Sequence, residues 1–282
     1  MFNYLKKSFQ RKKARRVTRE YPYSIIRFDL EKEGVIEFAR WENPLVSPIH
    51  IKQPDIDFFR KFIQEGDFVI DIGANIGDTT VPMALAAGKE GLTLGFDPNP
   101  YVYKILEVNA SLNKDKTNIV PVCSAITTEE EEFYFISSEA SFANGGISPT
   151  KKSNHGKFIC PEKVKGVNLL DYLQSNFQDQ LSKLSFIKVD TEGYDKEIIR
   201  SIGDLIDQQK PIIIAESFGK SPNEAKKELF ELISIHGYKL VYFEDFTYDT
   251  PTQEIHTAEE MTRWRNTINI YAIPLEKVGL IQ

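Results

Sequence analysis

A glycine-bearing turn after a strongly apolar run is the part of this sequence best suited to binding a small molecule. Residues 68–80 read FVIDIGANIGDTT, in which Asp71 closes the apolar run and Gly73 and Gly77 follow it. Glycine lets the backbone turn without a Cβ clash and lets a ligand or the following helix approach closely. The pattern predicts a strand, a turn that binds a nucleotide-like cofactor, and the start of a helix. A tight turn without a ligand is the alternative.

The residues around this turn discriminate between the common nucleotide cofactors. A phosphate-binding loop needs Lys and Ser or Thr after its last glycine, whereas Gly77 is followed by Asp78, which repels phosphate. The dinucleotide fingerprint GxGxxG is also missing, because the turn reads Gly-Ala-Asn-Ile-Gly. S-adenosylmethionine has no phosphate and carries a cationic sulfonium, so acidic residues near the turn favour it. An NAD-dependent oxidoreductase is the less favoured alternative.

A second acidic residue, Asp97 in the run LGFDPNP, ends the next apolar run after Asp71. One helix and one strand fit between the two residues. An acid at this place in a βαβ unit can accept hydrogen bonds from both ribose hydroxyls, so Asp97 indicates a cofactor that contains ribose. It does not discriminate between S-adenosylmethionine and NAD. An N-terminal cap for the helix that follows Pro98 is the alternative.

Two further acidic residues, Asp190 and Glu192, follow the apolar run 185–189 and are the candidate catalytic residues. The carboxyl ends of parallel strands share one sheet edge, so we expect both near the turn. A hydroxyl becomes a good nucleophile when a base draws its proton away, and a carboxylate can be that base. The alternatives are that Asp190 only fixes a backbone turn or the cofactor amine and that Glu192 caps the following helix. With Glu216 they could also hold Mg²⁺, but they form no self-evident ligand motif, so no metal site is predicted.

Hydrophobic periodicity predicts the elements that position these residues. From Gly66 onward, short β-branched runs alternate with helical patterns, which indicates βαβ units and an α/β fold with a mainly parallel sheet. The expected strands are residues 67–72, 92–96, 119–123, 185–189, 211–215, 239–243 and 267–273. The expected helices are residues 78–87, 100–113, 194–207 and 223–235.

Residues 127–165 break this alternation. After a predicted strand at 132–136, the chain is rich in Ser, Gly, Asn and Lys and is long for a connection in a compact domain. We expect residues 137–165 to form a lid or substrate loop. Histidine titrates near neutral pH, so His155 in this loop is a third candidate base. A solvent-facing histidine without a catalytic role is the alternative.

The basic residues of the chain are unevenly distributed. Residues 1–20 hold eight Lys or Arg against Glu20 alone, whereas the remainder holds 27 basic and 40 acidic residues. Phe2, Leu5 and Phe9 stand near helical spacing among these cations, which suits peripheral contact with an anionic membrane surface. A solvated or disordered tail is the alternative. We expect a basic tail at 1–20, an extension with a hairpin and a helix at 21–65, and one catalytic domain at 66–282.

The composition excludes several classes of protein. The chain has 282 residues, 41% of them hydrophobic and 27% charged, as in ordinary globular proteins. Its two cysteines are too few for a disulfide framework, and no Cys/His cluster has zinc-ligand spacing. The acidic balance and the lack of interleaved aromatic and basic residues argue against nucleic-acid binding. Without an export signal or a long apolar run, a cytoplasmic protein is expected, at most peripheral to the inner face of the membrane.

Four ordered blocks resemble the FkbM family of S-adenosylmethionine-dependent methyltransferases. They are VIDIGANIGDTT, GFDPNP, ILEVNASLN and IKVDTEGYDKEII, within about residues 60–220. The resemblance implies a Rossmann-like class I methyltransferase fold: a mainly parallel seven-stranded sheet whose last strand is antiparallel, with helices on both faces. It also implies O-methylation of a hydroxyl on a sugar, glycoconjugate or related natural product. A non-catalytic cofactor-binding scaffold of the same fold is the alternative.

The same resemblance implies a role for each matching residue. Asp97, where the family often has Glu, would hold the ribose. The methionine and ribose portion would be lined by Asp71, Gly73, Ala74, Asn75 and Gly77. The adenine would be bordered by Phe96 and Pro98 and read at its edge by Ser124 and Ala125.

Overall fold

The computed structural model describes the backbone of residues 2–191 and 193–280, and the side chains of these residues other than 2–4 and 280. The helices are α1 (Phe2–Ala14), α2 (Gln53–Phe59), α3 (Thr80–Ala87), α4 (Pro100–Ser111), α5 (Leu169–Asn176), α6 (Asp195–Ser201), α7 (Gly203–Gln209) and α8 (Asn223–Ser234). The strands are β1 (Tyr23–Leu30), β2 (Gly34–Trp41), β3 (Phe68–Ile72), β4 (Leu92–Phe96), β5 (Ile119–Val122), β6 (Ser124–Ile126), β7 (Glu131–Ser137), β8 (Gly146–Ser148), β9 (Phe158–Val167), β10 (Leu184–Val189), β11 (Ile212–Ser217), β12 (Tyr238–Phe243), β13 (Thr252–Ile255) and β14 (Ile268–Pro274). Short 3-10 helices occupy Gln178–Lys183, Ala258–Arg263 and Leu275–Leu280.

The main sheet has the strand order β13-β12-β14-β11-β10-β3-β4-β5. Strands β5, β4, β3, β10 and β11 pair in parallel, whereas β14 is antiparallel to both β11 and β12. Seven of these strands confirm the predicted Rossmann-like α/β arrangement, in which the last strand is antiparallel. The eighth, β13, pairs antiparallel with β12 and was not predicted, because its four residues, TQEI, have no apolar run.

Helices cover both faces of this sheet because its interior strands direct apolar side chains to both faces. All five residues of β3 are buried. Phe68, Ile70 and Ile72 pack in one core with apolar residues of α5 to α8, and Val69 packs in another with those of α2, α3 and α4. With a side-chain period of two, Asp71 belongs to the same face as Val69. The polar end of β3 therefore points toward the side covered by α3.

A second sheet, of order β6-β9-β7-β8, continues from the end of β5. Strand β9 is parallel to β6 and antiparallel to β7. Residues 137–165, expected to form a loop, contain β8 and most of β9, so the expectation of one continuous loop is wrong. Strand β9 was missed because its sequence, FICPEKVKGV, mixes Pro, Gly and charged residues with few apolar ones. The interpretation of residues 137–165 as a lid stays a prediction.

The first part of the chain contains α1, the antiparallel hairpin β1–β2 and α2. In the hairpin, Tyr23 lies opposite Trp41 and Leu30 opposite Gly34. Residues 194–207, expected to form one helix, are divided into α6 and α7, with Ile202 between them. Across the described residues, no helix is long and apolar enough to cross a membrane.

Candidate cofactor and active site

The strand order of the main sheet reverses between β3 and β10, which is a topological switch point. From β3 the chain builds outward through β4 and β5, whereas β10 and β11 are added on the opposite side. In open α/β sheets, the crevice at the carboxyl ends of two such strands is the usual ligand site. The turn after β3 and the segment after β10 both lie at this crevice. The topology thus brings the predicted cofactor turn and the predicted catalytic segment to one edge.

Glycine at position 73 allows the turn to lie against the backbone of the segment after β10. Gly73 has a φ of +83°, and a Cβ there would lie 1.8 Å from the Asp190 carbonyl oxygen. The amides of Gly73 and Ala74 donate to the Phe96 carbonyl, each at 2.9 Å, while the Asp190 amide donates to Ile72 at 3.0 Å. The turn is therefore fixed by backbone bonds to the ends of β4 and β10.

The lack of a side chain at Gly77 allows helix α4 to pack closely against the turn. Its φ is +97°, and a Cβ there would lie 3.1 Å from a methyl carbon of Leu106 in α4. Asn75, between the two glycines, is exposed and has a φ of 48°. The exposed part of the turn is thus centred on Asn75, and its second glycine packs against the protein.

Asp71 is fully buried and has three side-chain partners. One carboxylate oxygen accepts hydrogen bonds from the hydroxyls of Thr79 (2.9 Å) and Thr80 (2.7 Å). The other oxygen accepts from the Lys188 ammonium at 3.1 Å. Asp71 and Lys188 stand opposite each other in the register of β3 and β10, which is why they meet. The carboxylate therefore ties the cofactor turn, α3 and β10 together.

Lys188 is buried between two carboxylates. Its ammonium lies 3.1 Å from Asp71 and 3.3 Å from Asp190. Burial lowers the pKa of Lys188, but Asp190 and Asp71 outweigh that effect and hold the pKa above its ordinary value. Sequence reasoning missed Lys188, although a lysine inside the apolar strand FIKV was a signal that a buried acid must face it.

Asp97 is buried without a cation in hydrogen-bond contact among the residues described. One of its oxygens accepts from the Asn75 amide at 2.9 Å and the other from the Asn99 amide at 2.8 Å. Burial raises the pKa of the Asp97 carboxyl to about 6, although these two bonds lower it. The helix cap is Asn99, whose side chain accepts from Tyr101. The alternative role of Asp97 as the cap is therefore wrong.

These groups fit a cofactor that is cationic and contains ribose. Each Asp97 oxygen accepts one backbone amide in this structure, and a carboxylate oxygen has room for a second donor such as a ribose hydroxyl. Lys188 is faced by Asp71, Asp190 and Asp78, and burial raises the pKa of Asp78 against the effect of Lys188. Carboxylates thus outnumber the ammonium at this edge, which suits a positive charge on the ligand.

The remaining predicted cofactor residues differ in how far they are buried. The Phe96 ring is fully buried and packs edge-on against Tyr172, with 5.4 Å between ring centroids. The ring has no exposed surface with which to border adenine, so that expectation is corrected: Phe96 contributes its carbonyl to the turn. Pro98 is half-buried, whereas Ser124 and Ala125, at the start of β6, are buried.

Of the predicted catalytic residues, Asp190 lies at the crevice, with 36% of its side chain exposed. Glu192 lies outside the described residues. His155 is exposed in the connection between β8 and β9, with its ring against Gly146, where a Cβ would come within 2.5 Å of the imidazole. Its contacts place it with β8 rather than with Asp190. Within residues 2–191 and 193–280, no group of three His, Cys, Asp or Glu could hold a metal ion.

Asp195, which the sequence reasoning did not single out, fixes the segment that follows Asp190. It is buried and accepts hydrogen bonds from the Thr191 hydroxyl (3.1 Å) and from the amides of Gly193 and Glu216 (3.2 Å each). Burial, followed by the charge of Asp190, raises its pKa to about 6. Its place in the first turn of α6 was the signal available in the sequence.

The second sheet reaches this edge through the connection between β7 and β8. The Asn99 side chain donates to the Phe142 carbonyl at 2.8 Å. The rings of Tyr101 and Phe142 stack in parallel, with 4.7 Å between their centroids. Residues 139–143 therefore lie beside the β4 turn that carries Asp97.

Comparison with known families identifies the chain. The family model described as the methyltransferase FkbM domain matches residues 71–240, from Asp71 into β12. The chain belongs to the FkbM methyltransferase family. The match includes both the cofactor turn and the segment after β10.

Similar methyltransferases are also found among curated and solved proteins. The hexuronic acid methyltransferase AglP of Haloferax volcanii is 24% identical over 184 residues, which are 65% of this chain and 70% of that protein. The crystal structure of methyltransferase FkbM from Methylobacillus flagellatus has 14% identity and a TM-score of 0.45, covering 75% of this chain and 44% of that one. A S-adenosylmethionine-dependent O-methyltransferase from Thermotoga maritima has 12% identity and a TM-score of 0.42, covering 90% of this chain and 78% of that one. The chain thus spans less than half the length of the Methylobacillus protein.

Proposed function

We propose that this FkbM methyltransferase transfers the methyl group of S-adenosylmethionine to a hydroxyl of a sugar, glycoconjugate or related natural product. The observation that carries the proposal is the family match over an edge where Asp71, Asp97 and Asp190 converge. The similarity to a hexuronic acid methyltransferase supports a carbohydrate acceptor. The turn is largely buried, with Gly73 half-buried and Asn75 exposed, which suits a small ligand laid along its backbone.

In the proposed complex, Asp97 accepts the ribose hydroxyls while it keeps its bonds to the Asn75 and Asn99 amides. Asn75 and Gly73 line the methionine portion, and Pro98 with Ser124 and Ala125 lies on the adenine side. Asp71 acts from beneath the turn through Thr79 and Thr80. When bound, the cofactor supplies an electrophilic methyl group on a sulfonium.

We further propose Asp190 as the base that removes the acceptor proton. It is partly exposed, its backbone carbonyl lies against Gly73, and its carboxylate shares the Lys188 ammonium with Asp71 at the end of β3. The methyl group would leave the sulfonium sulfur of a bound cofactor, giving S-adenosylhomocysteine, as it bonds to the acceptor oxygen, and a carboxylate oxygen of Asp190 would take the hydroxyl proton. The Lys188 ammonium attracts and orients that carboxylate from its buried side. Glu192 is the second candidate for this role and His155 the third.

Transfer of a tritiated methyl group from S-adenosylmethionine tests the proposal. The acceptors are a panel that includes free hexuronic acids, oligosaccharides that contain them, neutral sugars and a peptide. We expect label in a sugar acceptor as an ether that is stable to mild base, and none in the peptide. Label as a base-labile ester would indicate methylation of a carboxylate and contradict O-methylation of a hydroxyl. Cofactor binding with no transfer to any sugar would favour a non-catalytic scaffold.

A further inference from the structure

Helix α1 carries exposed apolar side chains one turn apart. Leu5 is 59% exposed and Phe9 is 70% exposed. Residues four apart lie on the same side of a helix, so these two side chains form a stripe. Neighbouring exposed apolar groups of this size on a helix indicate a binding surface more often than isolated ones do.

Cations flank this stripe on both sides. At about 100° per residue, Lys12 lies next to Leu5 on one side, Lys13 lies next to Phe9 on the other, and Ala14 lies on the opposite face. Lys12 and Lys13 are exposed, whereas Ala14 is fully buried. The helix therefore turns its small residue toward the protein and its apolar stripe, bordered by lysines, toward solvent.

The end of α1 is attached next to the candidate site. The Ala140 amide donates to the Arg15 carbonyl at 3.3 Å, and the Arg15 guanidinium lies 3.3 Å from Glu139. Residue 142 of the same connection is held by Asn99, beside Asp97. A surface bound by α1 would thus lie close to the side of the crevice where residues 139–143 meet the β4 turn.

We infer that α1 docks on an anionic phospholipid surface. Leu5 and Phe9 enter the boundary between headgroups and acyl chains, and the flanking lysines pair with lipid phosphates. The apolar stripe distinguishes this partner from nucleic acid, which would use the cations but not Leu5 and Phe9. Docking holds the 139–143 side of the crevice against the membrane, where an acceptor embedded in the bilayer would present its sugar.

Sedimentation of the full-length protein with vesicles tests the inference. We expect binding to vesicles of phosphatidylcholine with phosphatidylglycerol, little binding to pure phosphatidylcholine, and weaker binding at high salt. The double variant L5S/F9S should bind about tenfold more weakly or worse. The matched control I235S/L275S removes two side chains outside α1 that are 80% and 64% exposed and should bind like the parent. K12Q/K13Q, which keeps the apolar stripe, should weaken binding and reduce its dependence on salt.

Failure of the parent to bind, or equal binding by L5S/F9S and the parent, would overturn the inference. So would a single-stranded RNA that displaces the vesicles and binds L5S/F9S as well as the parent. Hydrogen exchange tests the orientation: amides of residues 139–143 should be protected by vesicles, while those of β13 should not change. Unchanged hydrogen exchange at residues 139–143 would contradict the orientation in which this side of the crevice faces the membrane. Vesicle binding requires no turnover, so its failure would leave the proposed methyl transfer unaffected.

Discussion

Asp71 and Asp97 each stand at the carboxyl end of a buried parallel strand, yet their surroundings differ. Asp71 is bound by the Lys188 ammonium and by two threonine hydroxyls. Asp97 is bound by two backbone amides, and burial raises its pKa to about 6. At Asp71 the protein itself compensates the charge, so the residue stabilises the edge. At Asp97 the protein compensates the charge incompletely, so a ligand that donates hydrogen bonds or carries positive charge is bound favourably at this carboxylate.

Of the variants that test this difference between Asp71 and Asp97, Lys188→Met should have the largest effect, a loss of folding stability. It leaves Asp71 buried without its cation, and breaking a buried ion pair in this way costs about 3–5 kcal/mol of folding free energy. Urea unfolding measures the loss. The double variant D71N/K188M removes both charges and should recover most of the stability. A loss below about 1 kcal/mol in K188M would mean that Asp71 does not depend on Lys188.

The Asp190→Asn variant should separate chemistry from binding. A general base contributes about 100-fold or more to the rate, so kcat for the labelled transfer should fall by at least that factor. Affinity for S-adenosylhomocysteine should stay unchanged, because the amide keeps the shape of the carboxylate. Asp115→Asn, at an exposed aspartate paired with Lys116, is the matched control. If E192Q loses the activity and D190N keeps it, the base is Glu192.

The raised pKa of Asp97 predicts a pH dependence of cofactor affinity. Above about pH 6 its carboxylate is ionised and accepts ribose hydroxyls; below that value it gains a proton and loses acceptor capacity. Affinity should therefore fall as the pH drops through 6, by up to about tenfold per pH unit well below the midpoint. In Asp97→Asn this slope should be absent. An equal slope in the variant would assign the titration to another group, such as Asp195.

The sequence predicted the main sheet well because its interior strands are apolar on both faces. Strand β4 has the predicted bounds, and β3 and β10 differ from theirs by a single residue at one end. The second sheet was missed because β8 is short and β9 mixes polar residues with its apolar ones. Lys188 and Asp195 each had a local signal, a lysine inside an apolar strand and an acid in the first turn of a helix. Their distant partners, Asp71 from the register of β10 on β3 and the Glu216 amide from the end of β11, depend on tertiary structure and cannot be read from the local sequence.

Calorimetric titration with S-adenosylhomocysteine is the most direct test of the assignment of ribose binding to Asp97 and of the base to Asp190. We expect Asp97→Asn to weaken binding about tenfold or more, because hydrogen bonds to a charged group are lost, and Asp190→Asn and the Asp115→Asn control to bind like the parent. Unchanged affinity in Asp97→Asn, with the loss appearing in Asp190→Asn, would contradict the assignment of ribose to Asp97 and of the base to Asp190.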